Sequence, residues 1–209
     1  MSLPPPPSVA SRQPGALLRS FVPFDRLSEE TAAKLEPLLE ARRYRLGQTL
    51  MRPDVMPEGL LLLLRGALRS LGPDPVGQGL RTLERPASGS LHGWAGLLRG
   101  QPCEHLRATE EVEALLLPAA AFADLLQGHP TLTQWFQEAL NLPELHTLLL
   151  ALAERDPGWL PLLQAGPQAL KGVRVVSQPA GSPGGGDGLA LPPDYRWFIS
   201  SGGPLASAW

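Results

Sequence analysis

Residues 89–108, GSLHGWAGLLRGQPCEHLRA, bring glycine turns, two histidines, the single cysteine and an acid into one short stretch. Gly89 and Gly93 punctuate the stretch, which has the outline of a loop built to hold a phosphate. The free amides at a helix N-terminus favour an anion. His92, Cys103, Glu104 and His105 are of types that ligate zinc or iron, and Cys103 beside His105 has the outline of a nucleophile and base. The spacing argues against a metal: a metal-binding barrel usually shows two histidines one residue apart, and no His-x-His occurs here. Nothing beyond His105 would activate Cys103, so a structural cysteine is expected. No Walker loop, dinucleotide glycine fingerprint or G-x-S-x-G elbow is present, and no catalytic or metal-ligating residue is assigned. The expectation is a protein that is not an enzyme.

The elements around this stretch follow from periodicity and punctuation. Ser28 reads as an N-cap, Glu29 and Glu30 suit the positive end of the dipole, and Ala32, Leu35, Leu38 and Leu39 form a helical stripe in which Pro37 introduces a kink. After Arg43, short apolar segments alternate with turn signals at Gly47, Pro53-Asp54, Gly66, Gly72-Pro73 and Gly89, the pattern of a sandwich or barrel. Leucine favours helix in GLLLLLRGALRSL, from Gly59, but the closely spaced glycines predict two strands with a tight turn at Gly66. A further strand pair is predicted at 105–108 and 112–117. Ala119, Phe122, Leu125 and Leu126 share a helical face that Gly128-His129-Pro130 ends, and a second helix runs through Trp135 and Phe136. Asn141 and Glu144 read as an N-cap and its capping-box partner for a helix carrying Leu145, Leu148, Leu149 and Leu152, which Asp156-Pro157-Gly158 ends. Helix, about eight strands interrupted near 94–99, then helices is a mainly β, jelly-roll plan with helical flanks.

Composition limits the partners. The chain has 209 residues, 43% hydrophobic content and a net charge of −2, which supports a real core and gives no electrostatic reason for nucleic acid or an anionic membrane. No apolar run approaches the roughly 20 residues that span a bilayer. The opening MSLPPPPSVASRQPG lacks the apolar core of a signal peptide, and one cysteine rules out an internal disulfide framework, so a cytoplasmic setting is expected. Pro4 to Pro7 and SQPAGSPGGGDG at 177–188 read as linkers. This predicts a proline-rich segment at 1–20, a barrel domain at 21–140, a helical extension at 141–176, and a Gly/Pro linker with short strand segments, hairpin-like, at 177–209.

Over residues 21–140 the chain resembles the cyclic nucleotide-binding domain family. The opening FDRLSEETAAKLEPLLEARRYRLGQTLMRPDVMPEGLLLLLRGALR, the cassette-like GSLHGWAGLLRGQP and the closing EVEALLLPAAAFADLLQGHPTL follow in the family's order. The resemblance implies a double-stranded β-helix barrel and a phosphate-binding cassette at Gly89, Gly93, Trp94, Ala95, Gly96 and Leu97, with Pro102, Cys103 and Arg107 beyond it. In the family, a glutamate after the glycine holds the ribose and an arginine holds the phosphate. Here Trp94 stands at the glutamate's place, and an indole offers one donor and no acceptor. The arginine's place falls on Cys103 or Pro102, neither cationic, while Arg107 lies on the following strand and Arg99 at a helix end. Trp94 is read as a lid on the core rather than a ligand platform. Losing the charge-assisted pair costs on the order of 1.5–3 kcal/mol, tenfold or more in affinity, so a cyclic nucleotide cofactor is disfavoured.

This degenerate cassette implies a non-catalytic regulatory or docking domain. The stretch DYRWFISSGG and the aromatic last residue Trp209 suggest continuation into a longer protein. That stretch is similar to the segment after such a domain in bacterial, including cyanobacterial, ABC-type peptide or toxin exporters. The implied partners are the other domains of such a transporter at the cytoplasmic face of an inner membrane, with a homodimer through 141–154 as a further contact. The alternatives are a cyclic-nucleotide receptor with non-standard contacts and a catabolite-activator-type transcription regulator lacking its DNA-binding part. The second is weakened because PGWLPLLQAGPQALKG is short and neutral.

Overall fold

The computed structural model describes residues 15–175. The proline-rich opening up to residue 14 and the segment 177–209 with its expected hairpin lie outside the described residues.

Eight strands form two antiparallel four-stranded sheets. One holds β1 (Glu40–Tyr44), β8 (Val112–Pro118), β3 (Gly59–Arg65) and β6 (Leu91–His92), in that order. The other holds β2 (Thr49–Met51), β7 (His105–Ala108), β4 (Leu68–Pro73) and β5 (Leu80–Glu84). This is the expected jelly-roll plan with helical flanks. The two segments joined at Gly66 do not pair with each other: β3 stays in the first sheet and β4 enters the second. Gly66 has φ +95, and a Cβ there would stand 2.5 Å from the Glu111 carbonyl oxygen, so only glycine turns this corner. The expected pair at 105–108 and 112–117 divides in the same way, β7 into one sheet and β8 into the other.

The leucine run in β3 is a strand because both of its faces are buried. Successive side chains point to opposite sides, so Leu61 and Leu63 enter the core with Leu68, Leu106, Val112 and Leu116, while Leu60 and Leu62 meet the flanking helices. A strand covered on both sides reads as a continuous apolar run, and this tertiary burial outweighs the helical preference of leucine.

The helical flank begins with α1 (Glu29–Leu35), where Ser28 Oγ accepts the Thr31 amide at 3.1 Å. The helix stops at Leu35, and a 3-10 turn containing Pro37 (Glu36–Leu38) takes over. That turn moves Leu38 off the expected stripe, and Leu38 is largely exposed. α2 (Trp94–Arg99) interrupts the strands where expected. α3 (Ala119–Gly128) and α4 (Pro130–Glu138) follow, with Pro130 at the start of the second, where its missing amide hydrogen is no loss. Phe24, Phe122, Phe136 and Trp94 join Leu60, Leu62 and Leu117 in one core between these helices and the first sheet.

α5 (Leu142–Arg155) is capped by Asn141, whose Oδ1 accepts the Glu144 amide at 3.0 Å. Leu145, Leu149 and Ala153 pack on Leu163 of α6 (Leu160–Gln164) and on Leu170, so the leucine stripe is covered by its own chain. The homodimer expected through 141–154 is left with Thr147, Ala151 and Glu154 on the open face. α5 docks on the second sheet where His146 Nε2 meets the Pro73 carbonyl oxygen at 2.8 Å. Among the described residues no helix is long and apolar enough to cross a membrane.

Candidate functional site

The stretch singled out by its chemistry folds as β6, a glycine corner and α2. Gly93 has φ +85, and a Cβ there would meet the Gly59 carbonyl oxygen at 2.8 Å, so residue type and backbone conformation agree. Ala95 and Gly96 are buried, the latter against Pro57, which holds α2 close to the barrel. Leu97 packs on the helical core. Trp94 is 5% exposed, with its ring centroid 5.7 Å from that of Phe136. It covers the core, as the lid reading expects. Gly89, with φ +93, donates its amide to the Leu63 carbonyl oxygen at 2.9 Å and sets the turn before β6.

The residue that occupies the cassette is Glu104. Its side chain is 3% exposed, yet among the described residues no lysine or arginine forms an ion pair with it. Oε1 accepts the Gly93 amide at 2.9 Å and the Asn141 side-chain amide at 3.2 Å. Oε2 lies 3.4 Å from His92 Nδ1, and His92 Nε2 meets Ser90 Oγ at 2.9 Å. The chain thus places its own carboxylate on the amide that opens the anion cradle, and ties it to the cap of α5. Sequence reading weighed Glu104 only as a metal ligand. Its partner Asn141 is 37 residues away, and no local pattern signals that pairing.

The other residues of the stretch do not restore a cation. Pro102 is half-buried. The Cys103 thiol faces Asn141 Oδ1 at 3.8 Å. Burial, with Glu104 and Glu144 nearby, pushes its pKa up to about 12, against a smaller opposing effect of Arg99. Cys103 is therefore a protonated thiol at neutral pH and a poor nucleophile. Arg99 is committed to Glu144, Nε to Oε1 at 3.0 Å, with both side chains mostly buried. The same contact links the Glu144 carboxylate to α2. Arg107 was included with the cassette, but the structure separates it. β7 points Leu106 and Ala108 into the core and Arg107 outward, where Nε donates to the Gly47 carbonyl oxygen at 2.7 Å. His105 stands near Arg52, Asp54 and Arg107, away from His92. Among the described residues no group of three His, Cys, Asp or Glu side chains is placed to hold a metal ion.

Beside α2 lies a half-open cavity of about 370 Å³, lined by Glu84, Ser90, His92, Trp94 and Asn141 together with leucines. Burial raises the Glu84 carboxyl above the usual range, His92 works against this, and the Glu104 charge adds to it.

A family model described as "Cyclic nucleotide-binding domain" matches residues 41–129. Over those residues the chain is similar to the cyclic nucleotide-binding domain family. Solved structures agree on the fold. A regulatory subunit of a cAMP-independent protein kinase A from Trypanosoma cruzi, bound to guanosine, aligns with TM-score 0.56 at 16% identity, covering 66% of this chain and 49% of that one. A candidate cyclic nucleotide binding protein from Ruegeria pomeroyi aligns with TM-score 0.51 at 17% identity over 73% of this chain and 62% of the other. The matches span about half to two-thirds of the length of these relatives, and at such identities the likeness is one of fold. No curated protein matches the sequence. Within the matched residues lie the Gly93 turn and α2, with Trp94, Cys103 and Glu104 around them.

Proposed function

We propose that this cyclic nucleotide-binding domain is a regulatory or docking module that acts by contact with a partner, catalyses no reaction and takes no cyclic nucleotide as cofactor or signal. The observation that carries this reading is the Glu104 carboxylate on the Gly93 amide, with no guanidinium at 103. A phosphate brought to that amide meets a fixed negative charge where it needs a positive one. The charge-assisted bond it forgoes is worth about 1.5–3 kcal/mol before repulsion is counted. The guanosine bound to the Trypanosoma cruzi subunit is a ligand without phosphate, and it supports the idea that this fold serves regulation without one.

Calorimetric titration with cyclic AMP, cyclic GMP and cyclic di-GMP tests the reading. No heat is expected from any of them at micromolar concentration, and micromolar binding of one would overturn it. The double substitution Cys103→Arg with Glu104→Ala removes the carboxylate and supplies the cation, and is expected to gain cyclic nucleotide binding at least tenfold.

For the partner, the stretch DYRWFISSGG supports an exporter of the ABC type, with the domain docking at the cytoplasmic face of the membrane-embedded part. That stretch lies outside the described residues. Continuation of the reading frame into membrane spans and a Walker loop is the expected observation, and a stop codon directly after Trp209 would end the exporter reading.

A further inference from the structure

We propose that the end of the barrel opposite α2 docks on an anionic lipid surface, with its arginines at the headgroup phosphates and Leu46 entering between them. Strand order defines that end: β1, β3, β5 and β7 finish there, and β2, β4, β6 and β8 begin. α1 leads toward the far end of β1, α2 joins the far ends of β6 and β7, and α3 leaves the far end of β8. The near end is left with a row of tight turns tied together through their backbones. The Gly47 amide donates to the Ala108 carbonyl oxygen at 2.9 Å, that of Thr109 to Ala67 at 3.0 Å, and that of Leu68 to Pro86 at 2.9 Å.

Charge is spread unevenly over this frame. Arg45, Arg65, Arg69, Arg85 and Arg107 are all exposed on these turns or on the strand ends beside them. Among the described residues none of the five forms an ion pair, whereas Arg43, at the same end, is met by Glu113 at 3.4 Å. Glu110 and Glu111 are exposed here too, while Glu84, next to Arg85, lines the cavity beside α2. Five guanidinium groups against two carboxylates make this end cationic in a chain whose net charge is −2. The overall balance, which gives no reason for a membrane partner, conceals a segregated one.

An apolar tip accompanies the charge. Gln48 closes the turn from both sides: its amide donates to the Arg45 carbonyl oxygen at 3.0 Å, and its Oε1 accepts the Arg45 amide at 3.0 Å. Arg107 Nε braces the same turn at the Gly47 carbonyl oxygen. Leu46 is held out at the tip with 69% of its surface exposed. Guanidinium pairs with phosphate oxygens, and each arginine beside an anionic leaflet adds about fivefold in partitioning. An exposed leucine gains little from a soluble polyanion, but it leaves water on entering the headgroup boundary. Arginines set on separate turns suit a plane of phosphates better than one small ligand.

The test mixes the full chain with sedimenting vesicles of phosphatidylcholine, alone or with a third of the lipid as phosphatidylglycerol. Binding is expected to the anionic vesicles only. It should weaken sharply as salt rises from about 0.1 M to about 1 M, which shortens the screening length from about 10 Å to about 3 Å. Arg45→Glu with Arg65→Glu is expected to weaken binding more than tenfold and Leu46→Ser a few-fold, with melting curves showing that the variants fold. Polyglutamate at equal charge is expected not to compete. No binding to anionic vesicles, equal binding to neutral ones, or undiminished binding by the arginine variant overturns the proposal. Competition by polyglutamate, or undiminished binding by Leu46→Ser, makes the partner an acidic macromolecule and overturns the lipid assignment. The cassette lies at the far end, and its reading stands or falls on the cyclic nucleotide titrations alone.

Discussion

Cys103 shows how far the surroundings of one residue set what it can do. A guanidinium there would be permanently charged, whereas the thiol, raised from an ordinary value of 9.0 to about 12 chiefly by burial, is neutral. Folding therefore favours the protonated thiol, and the stability it contributes is complete below pH 9 and lost as pH rises from 9 toward 12. Urea denaturation across pH 8 to 11 is expected to show stability falling with pH, and Cys103→Ala to flatten that part of the curve. Native protein at pH 8 is expected to react with a thiol reagent far more slowly than urea-unfolded protein. Trp94 and Cys103 stood out in the sequence because the resemblance assigns a residue type to each position, and the structure places Trp94 in the helical core. Glu104 did not, since its meaning depends on Asn141 and His92, which only the fold brings within reach.

At the level of elements, the two glycines that bound the cassette turn have similar backbones and different surroundings. Both have positive φ, +93 at Gly89 and +85 at Gly93, but a Cβ at Gly89 meets nothing within 4 Å while one at Gly93 strikes the Gly59 carbonyl oxygen. Gly89→Ala is expected to cost about 1–2 kcal/mol of backbone strain alone. Gly93→Ala adds a clash between β3 and α2 and should cost clearly more. Equilibrium urea unfolding of the two variants checks the order, and equal costs would mean that α2 shifts to relieve the clash. The caps behaved as local chemistry predicts: Ser28 and Asn141 each accept an amide three residues on. Glu144, the capping-box partner that the spacing predicts, also reaches Arg99, 45 residues earlier in the chain. A short-range rule does not foresee a long-range contact.

Across the molecule, Phe136 ties the parts together. Its ring lies 6.1 Å from Phe24, 5.7 Å from Trp94, 5.1 Å from Phe122 and 5.0 Å from Trp135, so it joins the N-terminal turns, α2, α3 and α4. Phe136→Ala is expected to cost about 3–5 kcal/mol and lower the melting temperature by on the order of 10 °C. Because Trp94 loses its neighbour, its fluorescence should change even where the fold survives. A melting temperature within a degree or two of the parent would show that the helical flank does not depend on this contact. By itself the sequence determined the local alphabet of this protein: where helices begin, where glycine turns the chain, and which segments are apolar enough to be strands. Those features depend on neighbours a few residues apart. Tertiary structure decided the distribution of strands between two sheets, the double-sided burial of the β3 leucines, the commitments of Arg99 and Arg107, and the carboxylate that takes the amide of an anion cradle. Each of these is a contact between distant residues, whose free energy appears only once the chain has closed around them.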